Sequence, residues 1–212
     1  STLFPYTTLF RSGRRTDKSY WTWWKPVEFK TKTSVVSTPY YQDFTNSNVT
    51  ELAIFPDKKA SGNKWCIGSG IGNGGNSMYI SKDGVSAEYG TGESHTLSYI
   101  TIDFDSSPKF DVHFDWVGKG EALYSTVYDF MRVYVVPDTL TLPTTWQRTD
   151  TRWIKDSSAL QLGDKFNGKT EWTTFSDTLP SSYAGTRRKL VFMWINDASG
   201  AGSRRPDRKS VV

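Results

Sequence analysis

The chain of 212 residues is poor in the features from which membrane proteins, disulfide-rich proteins and helical bundles are built. Its single cysteine, Cys66, excludes an internal disulfide, so the fold must rest on a hydrophobic core. No apolar run approaches the ~20 residues that a spanning helix needs, which argues against membrane insertion. Leucine-rich patterns of helical period are also nearly absent, and this favours an all-β class.

Residues that commonly carry catalysis are few as well. The chain has two histidines, His95 and His113, and His113 lies on the polar side of an alternating segment with no Ser or Cys nucleophile pattern near it. Asp115 and Glu121 could be the two carboxylates of a glycosidase, but the Glu-x-Asp-x-x-Glu strand signature of sandwich glycosidases is absent. The sequence therefore predicts that the protein is not an enzyme.

Positive charge is concentrated at the two ends of the chain. The formal net charge is +4, which would ordinarily suggest an acidic partner. Between Pro39 and Gly202, however, the chain has 15 basic and 19 acidic residues. Because the body is mildly acidic, nucleic-acid binding loses its main support.

Aromatic residues are abundant, at 15% of the chain with nine tryptophans, and most fall in strand patterns. Residues 110–116 alternate apolar and polar side chains, as a half-buried strand does. Residues 127–136 are apolar or aromatic at almost every position, which suits a strand covered on both faces, and Pro137 ends it. Residues 97–104 and 189–195 are further strand candidates. The side chains expected to line the core are those of Phe110, Val112, Phe114, Trp116, Met131, Val133, Phe192 and Trp194.

The chain divides into segments of unequal character. Residues 1–12 and 203–212 resemble translated sequencing-adapter sequence and are excluded from fold reasoning. Residues 13–33 contain the letters SYW before an alternating stretch and resemble the end of a fibronectin type III repeat. Residues 34–38 are predicted to be a short polar linker, and residues 39–202 to form the main domain.

Residues 138–163 form a long, polar and weakly patterned stretch that contains Trp146 and Trp153. No strand pattern accounts for these two rings. Flat aromatic side chains with polar neighbours are suited to sugar rings, so both are candidate glycan contacts. The alternative is that they cover the end of a β-sandwich, and the sequence leaves both interpretations open.

Three separate motifs in the main domain carry a family resemblance. They are NKWCIG with GGNSMYISKDG (residues 63–68 and 74–84), FDW with GE and YDFMRVYVVP (114–116, 120–121 and 128–137), and YAGT with LVFMWINDASG (183–186 and 190–200). With these motifs the chain resembles the choice-of-anchor J domain, related to the cleaved-adhesin and MAM-like modules of bacterial surface proteins. It departs from the family at Thr45, where members usually have an acidic residue.

The resemblance implies an all-β jelly-roll sandwich of two antiparallel sheets. The chain stops before the final strand of the family, so one sheet edge is expected to be unprotected. Related modules often carry structural calcium, which carboxylate and carbonyl oxygens bind in loops. Asp43, Glu121 and Asp129, each at a strand end or turn, are the candidate calcium ligands.

These observations predict a non-catalytic adhesin or carbohydrate-binding module of a larger secreted multidomain bacterial protein. We expect a monomeric module in a longer chain, secreted or at the cell surface, with a glycan or a cell-surface protein as partner. Two alternatives remain: a structural spacer without a ligand of its own, and an accessory domain of a secreted peptidase or glycoside hydrolase.

Overall fold

A computed structural model describes residues 34–55, 63–69, 75–142, 154 and 158–198. All of these residues belong to one unit of the chain that begins at Ser34. The predictions for residues 1–33, for residues 199–212 and for the side chains of Trp146 and Trp153 lie outside the described residues.

The described residues form twelve β-strands and one short 3-10 turn, Ser181–Tyr183. The strands are β1 (Val35–Ser37), β2 (Leu52–Phe55), β3 (Lys64–Gly68), β4 (Ser77–Ser81), β5 (Ser94–Asp103), β6 (Phe110–Gly118), β7 (Ala122–Leu123), β8 (Thr126–Val127), β9 (Phe130–Pro137), β10 (Leu160–Phe166), β11 (Lys169–Leu179) and β12 (Arg187–Asn196).

Six of these strands make one large sheet. Strand β12 lies at its centre and pairs antiparallel with β5 on one side and β9 on the other, and β10 follows β9. Beyond β5, the edge is shared by two short strands, β2 antiparallel and β1 parallel to it. Ile195 lies opposite both His95 and Phe130 in this register, so these three residues form one row near the end of the sheet.

Two antiparallel pairs, β6 with β11 and β3 with β4, cover one face of the large sheet. The main hydrophobic core lies between these layers and draws Trp65, Trp116, Met131, Phe166 and Trp194 from five different strands. The fold is therefore an all-β jelly-roll sandwich, as predicted.

The predicted core is confirmed. Phe110, Trp116, Met131, Val133 and Trp194 are buried, and the other three predicted side chains are partly buried against them. On the opposite side of β6, the alternating residues Asp111, His113 and Asp115 are exposed, as the period of two requires.

A second core cluster lies on the outer face of the large sheet, formed by Leu97, Tyr134, Val136, Leu142, Val191 and Met193. Strands β9 and β12 are thus covered on both faces, as their continuous apolar sequences predicted. Leu140, Ile154 and Ala159 also pack against this cluster. Described residues of the polar stretch 138–163 therefore cover part of the outer face.

Two segments differ from the sequence-based prediction. Residues 34–38, predicted to be a linker, include β1, whose residues pair with Thr101, Ile102 and Asp103 of β5. Residues 160–163, predicted to belong to a loop, begin β10. The pairing of β10 with β9 shifts between Leu162 and Phe166, where Gly163 has a φ of +63°. This irregularity breaks the alternation by which a strand is recognised in sequence.

Candidate functional site

A buried carboxylate, that of Asp129, joins three segments at one end of the sandwich. Asp129 is only 2% exposed. Its Oδ2 accepts hydrogen bonds from the Tyr89 hydroxyl at 2.6 Å and from the Glu121 backbone N–H at 3.3 Å. Its Oδ1 accepts from the Asp197 backbone N–H at 3.1 Å. Because three donors satisfy it, the carboxylate can be buried without an unmet hydrogen-bonding demand.

The hairpin of β7 and β8 brings Glu121 and Asp129 together. The backbone N–H groups of Tyr128 and Asp129 both donate to the Glu121 carbonyl, at 3.0 and 3.2 Å. Gly120, directly before Glu121, packs so closely that a Cβ there would lie 2.1 Å from the Asp129 carbonyl oxygen. Its N–H donates to Asn167 Oδ1 at 2.7 Å. Glycine is therefore required at position 120 by a close backbone approach.

Burial shifts the pKa values of Asp129 and of its hydrogen-bond donor Tyr89. Desolvation raises the pKa of Asp129, and the nearby Asp197 carboxylate acts in the same direction, whereas its three hydrogen bonds oppose the rise. Burial, with the charge of Asp129, also raises the pKa of Tyr89 far above its ordinary value. The Tyr89 hydroxyl therefore stays protonated and acts as the donor in this pair.

Three carboxylates meet at this end, and we call Glu121, Asp129 and Asp197 the acidic trio. One oxygen from each lies within 4.8 Å of the others, and Glu121 and Asp197 are half-buried. An all-oxygen set of this kind fits a hard cation such as Ca²⁺, which these three residues would hold. Two of the trio, Glu121 and Asp129, are ligands that the sequence predicted. Calcium binding itself stays a prediction.

Asp43 and Asp197 differ from the sequence-based expectation. Asp43 does not belong to the acidic trio. Its exposed carboxylate accepts from the Thr45 backbone N–H at 2.9 Å, and this hydrogen bond lowers the pKa of Asp43. Asp197 was not among the predicted ligands, although it lies in the Asn196-Asp197 motif. Neither sequence spacing nor strand pattern places that motif beside Asp129.

A buried network of amide and hydroxyl groups lies behind the acidic trio. Asn63 Nδ2 donates to Ser94 Oγ at 2.8 Å and to Asn196 Oδ1 at 3.1 Å, and Trp194 Nε1 donates to the same Asn196 oxygen at 3.0 Å. Asn196 Nδ2 donates to the Gly92 carbonyl at 2.6 Å. The network joins the start of β3 to the adjacent ends of β5 and β12, so two of the three sequence motifs meet at this end of the fold.

A cleft of roughly 330 Å³ opens on the outer face of the large sheet at the same end. We call it the outer cleft. Its walls contain aromatic rings, aliphatic side chains and groups of both charges. The lining residues are Glu93, His95, Val127, Tyr128, Phe130, Arg132, Tyr134, Met193, Ile195, Asn196 and Asp197. Asp197 is shared with the acidic trio, and the cleft did not follow from any sequence motif.

The Arg132 guanidinium is the cation of this cleft. Its Nη1 donates to Tyr134 Oη and to Gln161 Oε1, both at 3.3 Å. Its Cζ lies 5.4 Å from the centre of the Phe130 ring, and Lys165 Nζ lies 4.4 Å from the same centre. The Nε–H of Arg132 is buried and has no acceptor within the described ranges.

The remaining predicted functional residues are dispersed or not described. Trp146 and Trp153, the predicted glycan contacts, lie outside the described residues. Asp115, considered as a glycosidase carboxylate, is on the exposed side of β6 and accepts from Thr174 Oγ1 at 2.6 Å. Its suggested counterpart, Glu121, belongs to the acidic trio.

Comparisons with known proteins give weak structural likeness. No family model and no curated protein matches the chain, so the resemblance to the choice-of-anchor J domain stays an expectation. The chain is similar to the N-terminal CBM22-1–CBM22-2 tandem domain of Xyn10C from Paenibacillus barcinonensis, at 14% identity and a TM-score of 0.42. That match covers 81% of this chain and 46% of the tandem domain, so the chain spans less than half of that structure.

A second similar structure is the CBM22-2 xylan-binding domain of the same Paenibacillus protein. Its identity is again 14%, its TM-score is 0.38, and the match covers 80% of this chain and 91% of that domain. Both TM-scores are below 0.5, so the likeness does not indicate what this chain binds. Within the described ranges, the structure contains no helix long and apolar enough to cross a membrane.

Replacing Gly120 with alanine should destabilise the fold, because its Cβ would overlap the Asp129 backbone. We expect Gly120→Ala to lower the free energy of unfolding by about 1–3 kcal/mol. Gly75→Ala is the matched control, since no atom of the described residues lies within 4 Å of a Cβ there, and it should change stability by less than about 0.5 kcal/mol. Urea unfolding measures both, and equal stability of the two variants would contradict the close approach.

Calcium should stabilise the domain if the acidic trio binds it. At a concentration 100 times the dissociation constant, Ca²⁺ should add about 2.7 kcal/mol to the stability of the chelator-treated protein. Asp197→Asn should abolish this gain because it removes one carboxylate of the trio. Asp43→Asn, outside the trio, should keep it. Thermal melts with and without Ca²⁺ test this, and a wild-type melting temperature that calcium does not change would exclude the site.

Proposed function

We propose that this domain is a non-catalytic glycan-binding module of a larger secreted or surface-exposed protein. The observation that supports the proposal is the outer cleft, which combines aromatic rings with polar groups in a concave surface. Sugars are bound by such surfaces because ring faces pack on pyranose C–H groups while hydrogen-bonding groups fix orientation.

Tyr128 is the ring best placed for stacking. It lines the outer cleft and is 36% exposed, whereas the neighbouring Phe130 ring is buried between the cations Arg132 and Lys165. The backbone N–H of Tyr128 is held by the Glu121 carbonyl at 3.0 Å, so its main chain is fixed before a ligand arrives. A fixed main chain loses less conformational freedom on binding.

The predicted contacts Trp146 and Trp153 remain part of this proposal. Leu142, four residues before Trp146, and Ile154, directly after Trp153, both pack against the outer face of the large sheet. The outer cleft opens on this same face, where Tyr134 and Met193 belong to both the cleft and the second core cluster. Glycan contacts by Trp146 and Trp153 themselves stay a prediction.

The arrangement of the carboxylates favours binding without catalysis. Acid–base hydrolysis of a glycoside needs a protonated carboxylic acid at the scissile bond beside an ionised carboxylate. Asp129 has the raised pKa that such an acid needs, but it is 2% exposed and is held by three donors. It does not line the outer cleft. The alternative is a spacer module without a ligand, and the following test distinguishes it from a glycan-binding module.

Truncating Tyr128 should weaken glycan binding and leave the fold intact. We expect Tyr128→Ala to cost about 1–3 kcal/mol of binding, by analogy with stacking of bases on aromatic side chains, which is about a five- to 150-fold loss of affinity. Tyr41→Ala is the control, because Tyr41 is 79% exposed and does not line the cleft. A glycan array followed by calorimetry on the best ligand measures the effect.

The outcome is decided by binding and stability together. If Tyr128→Ala binds like the wild type, the cleft is not the binding surface. If the wild type binds no glycan on the array while its melting curve shows a folded domain, the spacer interpretation is favoured. Thermal melts of both variants exclude loss of fold as the cause.

A further inference from the structure

Two cations, Arg132 and Lys165, lie against the Phe130 ring, which lines the outer cleft, and among the described residues neither has a carboxylate partner. Arg132 and Lys165 are both within 5.4 Å of the Phe130 centroid. The hydrogen-bond acceptors of Arg132 are the neutral oxygens of Tyr134 and Gln161, and that of Lys165 is the Val127 carbonyl at 2.9 Å. Within the described part of the chain, neither side chain forms an ion pair.

The positive charges of Arg132 and Lys165 are therefore uncompensated although both side chains are partly buried. The two charges lie within about one Debye length of each other, ~10 Å at 0.1 M salt, where like charges repel. Arg132 also has its buried Nε–H without an acceptor, and such a donor carries an unmet desolvation cost. A ligand carboxylate beside the guanidinium would compensate this charge, because a hydrogen bond between two ionised groups is stronger than one between neutral groups.

The acidic residues of the cleft lie at its other end. Arg132 is opposite Met193 in the register, and Asp197 lies four residues further along the chain from Met193. Four extended residues span about 13 Å, which exceeds the Debye length at 0.1 M salt. The hydrogen bonds of Arg132 Nη1 to Tyr134 and Gln161 hold it on the sheet, away from that end. The cleft therefore has one cationic and one acidic end.

We infer that the outer cleft takes an acidic saccharide, a chain containing hexuronate residues, whose carboxylate binds the Arg132 guanidinium beside Lys165. This rests on the proposed glycan binding and adds the class of sugar. Tyr128 supplies the stacking surface, and the acidic end, Glu93 and Asp197, accepts hydrogen bonds from sugar hydroxyls. A neutral chain would use the same rings but leave the guanidinium without its anion.

The test uses matched ligand pairs that differ in charge and in one methyl group per sugar. Oligosaccharides of galacturonate, glucuronate and mannuronate are compared with their methyl esters, in which each carboxylate is neutral while the sugar rings are the same. We expect the full chain to bind the free acid of at least one pair about 10- to 100-fold more tightly than its ester at low salt. The difference should shrink in 0.5 M NaCl, because the added attraction is electrostatic.

Two variants assign the preference to one guanidinium. Arg132→Gln should remove the preference for the free acid, so that the free acid and the ester of each pair bind with equal affinity. Arg132→Lys should keep part of the preference for the free acid, since lysine retains the positive charge but lacks the planar guanidinium group. Arg187→Gln is the control with the same change of net charge, because Arg187 is an exposed residue that pairs with Asp103 at 3.2 Å outside the cleft.

Each result supports or overturns the inference. Equal wild-type affinity for both members of every pair would overturn the acidic specificity, and Tyr128-dependent binding of the esters would then still support glycan binding. An equal reduction of the preference by Arg132→Gln and Arg187→Gln would also overturn the role of Arg132 in acidic specificity. Failure of the folded wild type to bind any member of any pair would overturn the acidic specificity, whereas the proposed glycan binding fails only if the glycan array also shows no ligand. The ligand pairs test the wild type alone, so loss of fold in a variant does not affect that comparison.

Discussion

The buried carboxylate of Asp129 is the interaction on which one end of this sandwich depends. It accepts from Tyr89, from the Glu121 backbone and from the Asp197 backbone, which belong to three segments far apart in sequence. An isolated buried carboxylate would be strongly unfavourable, so these donors and the carboxylate require one another. Gly120 completes the arrangement, because only a residue without Cβ allows the backbone to come so close to Asp129.

The outer cleft also depends on the Asp129 carboxylate. Tyr128 and Phe130, which flank Asp129 in sequence, and Asp197, whose N–H it holds, all line the cleft. Asp129 faces the interior while its neighbours face outwards, as alternation along an extended chain requires. The proposed binding surface is therefore positioned by a buried structural carboxylate, and the cationic pair on Phe130 gives that surface its proposed preference for acidic sugars.

Much of the fold could be predicted from the sequence, because strands covered on one or both faces leave clear patterns. The alternation in β6 and the continuous apolar runs of β9 and β12 identified the core correctly, down to Trp116 and Trp194. Strand β10 was missed because its irregularity at Gly163 breaks the alternation, and β1 because three residues are too few to show a period.

The candidate site was only partly accessible from sequence. Glu121 and Asp129 were identified as acidic residues at turns, but Asp197 joins them only through the pairing of β12 with β9. The outer cleft depends on which side chains share rows across three strands, and single-strand patterns do not contain that register. Arg132 had no distinguishing mark in sequence, since its importance comes from its place at the Phe130 ring in the outer cleft.

The most direct test of this account is an NMR titration of the ¹⁵N-labelled domain with oligosaccharides of galacturonate, glucuronate and mannuronate in turn, followed amide by amide. The account predicts that the largest shift changes occur at Tyr128, Phe130, Arg132 and Ile195, with little change at Asp111, His113 and Asp115 on the exposed side of β6. Shift changes confined to the β6 side, or no shift changes with any of the three oligosaccharides, would contradict it.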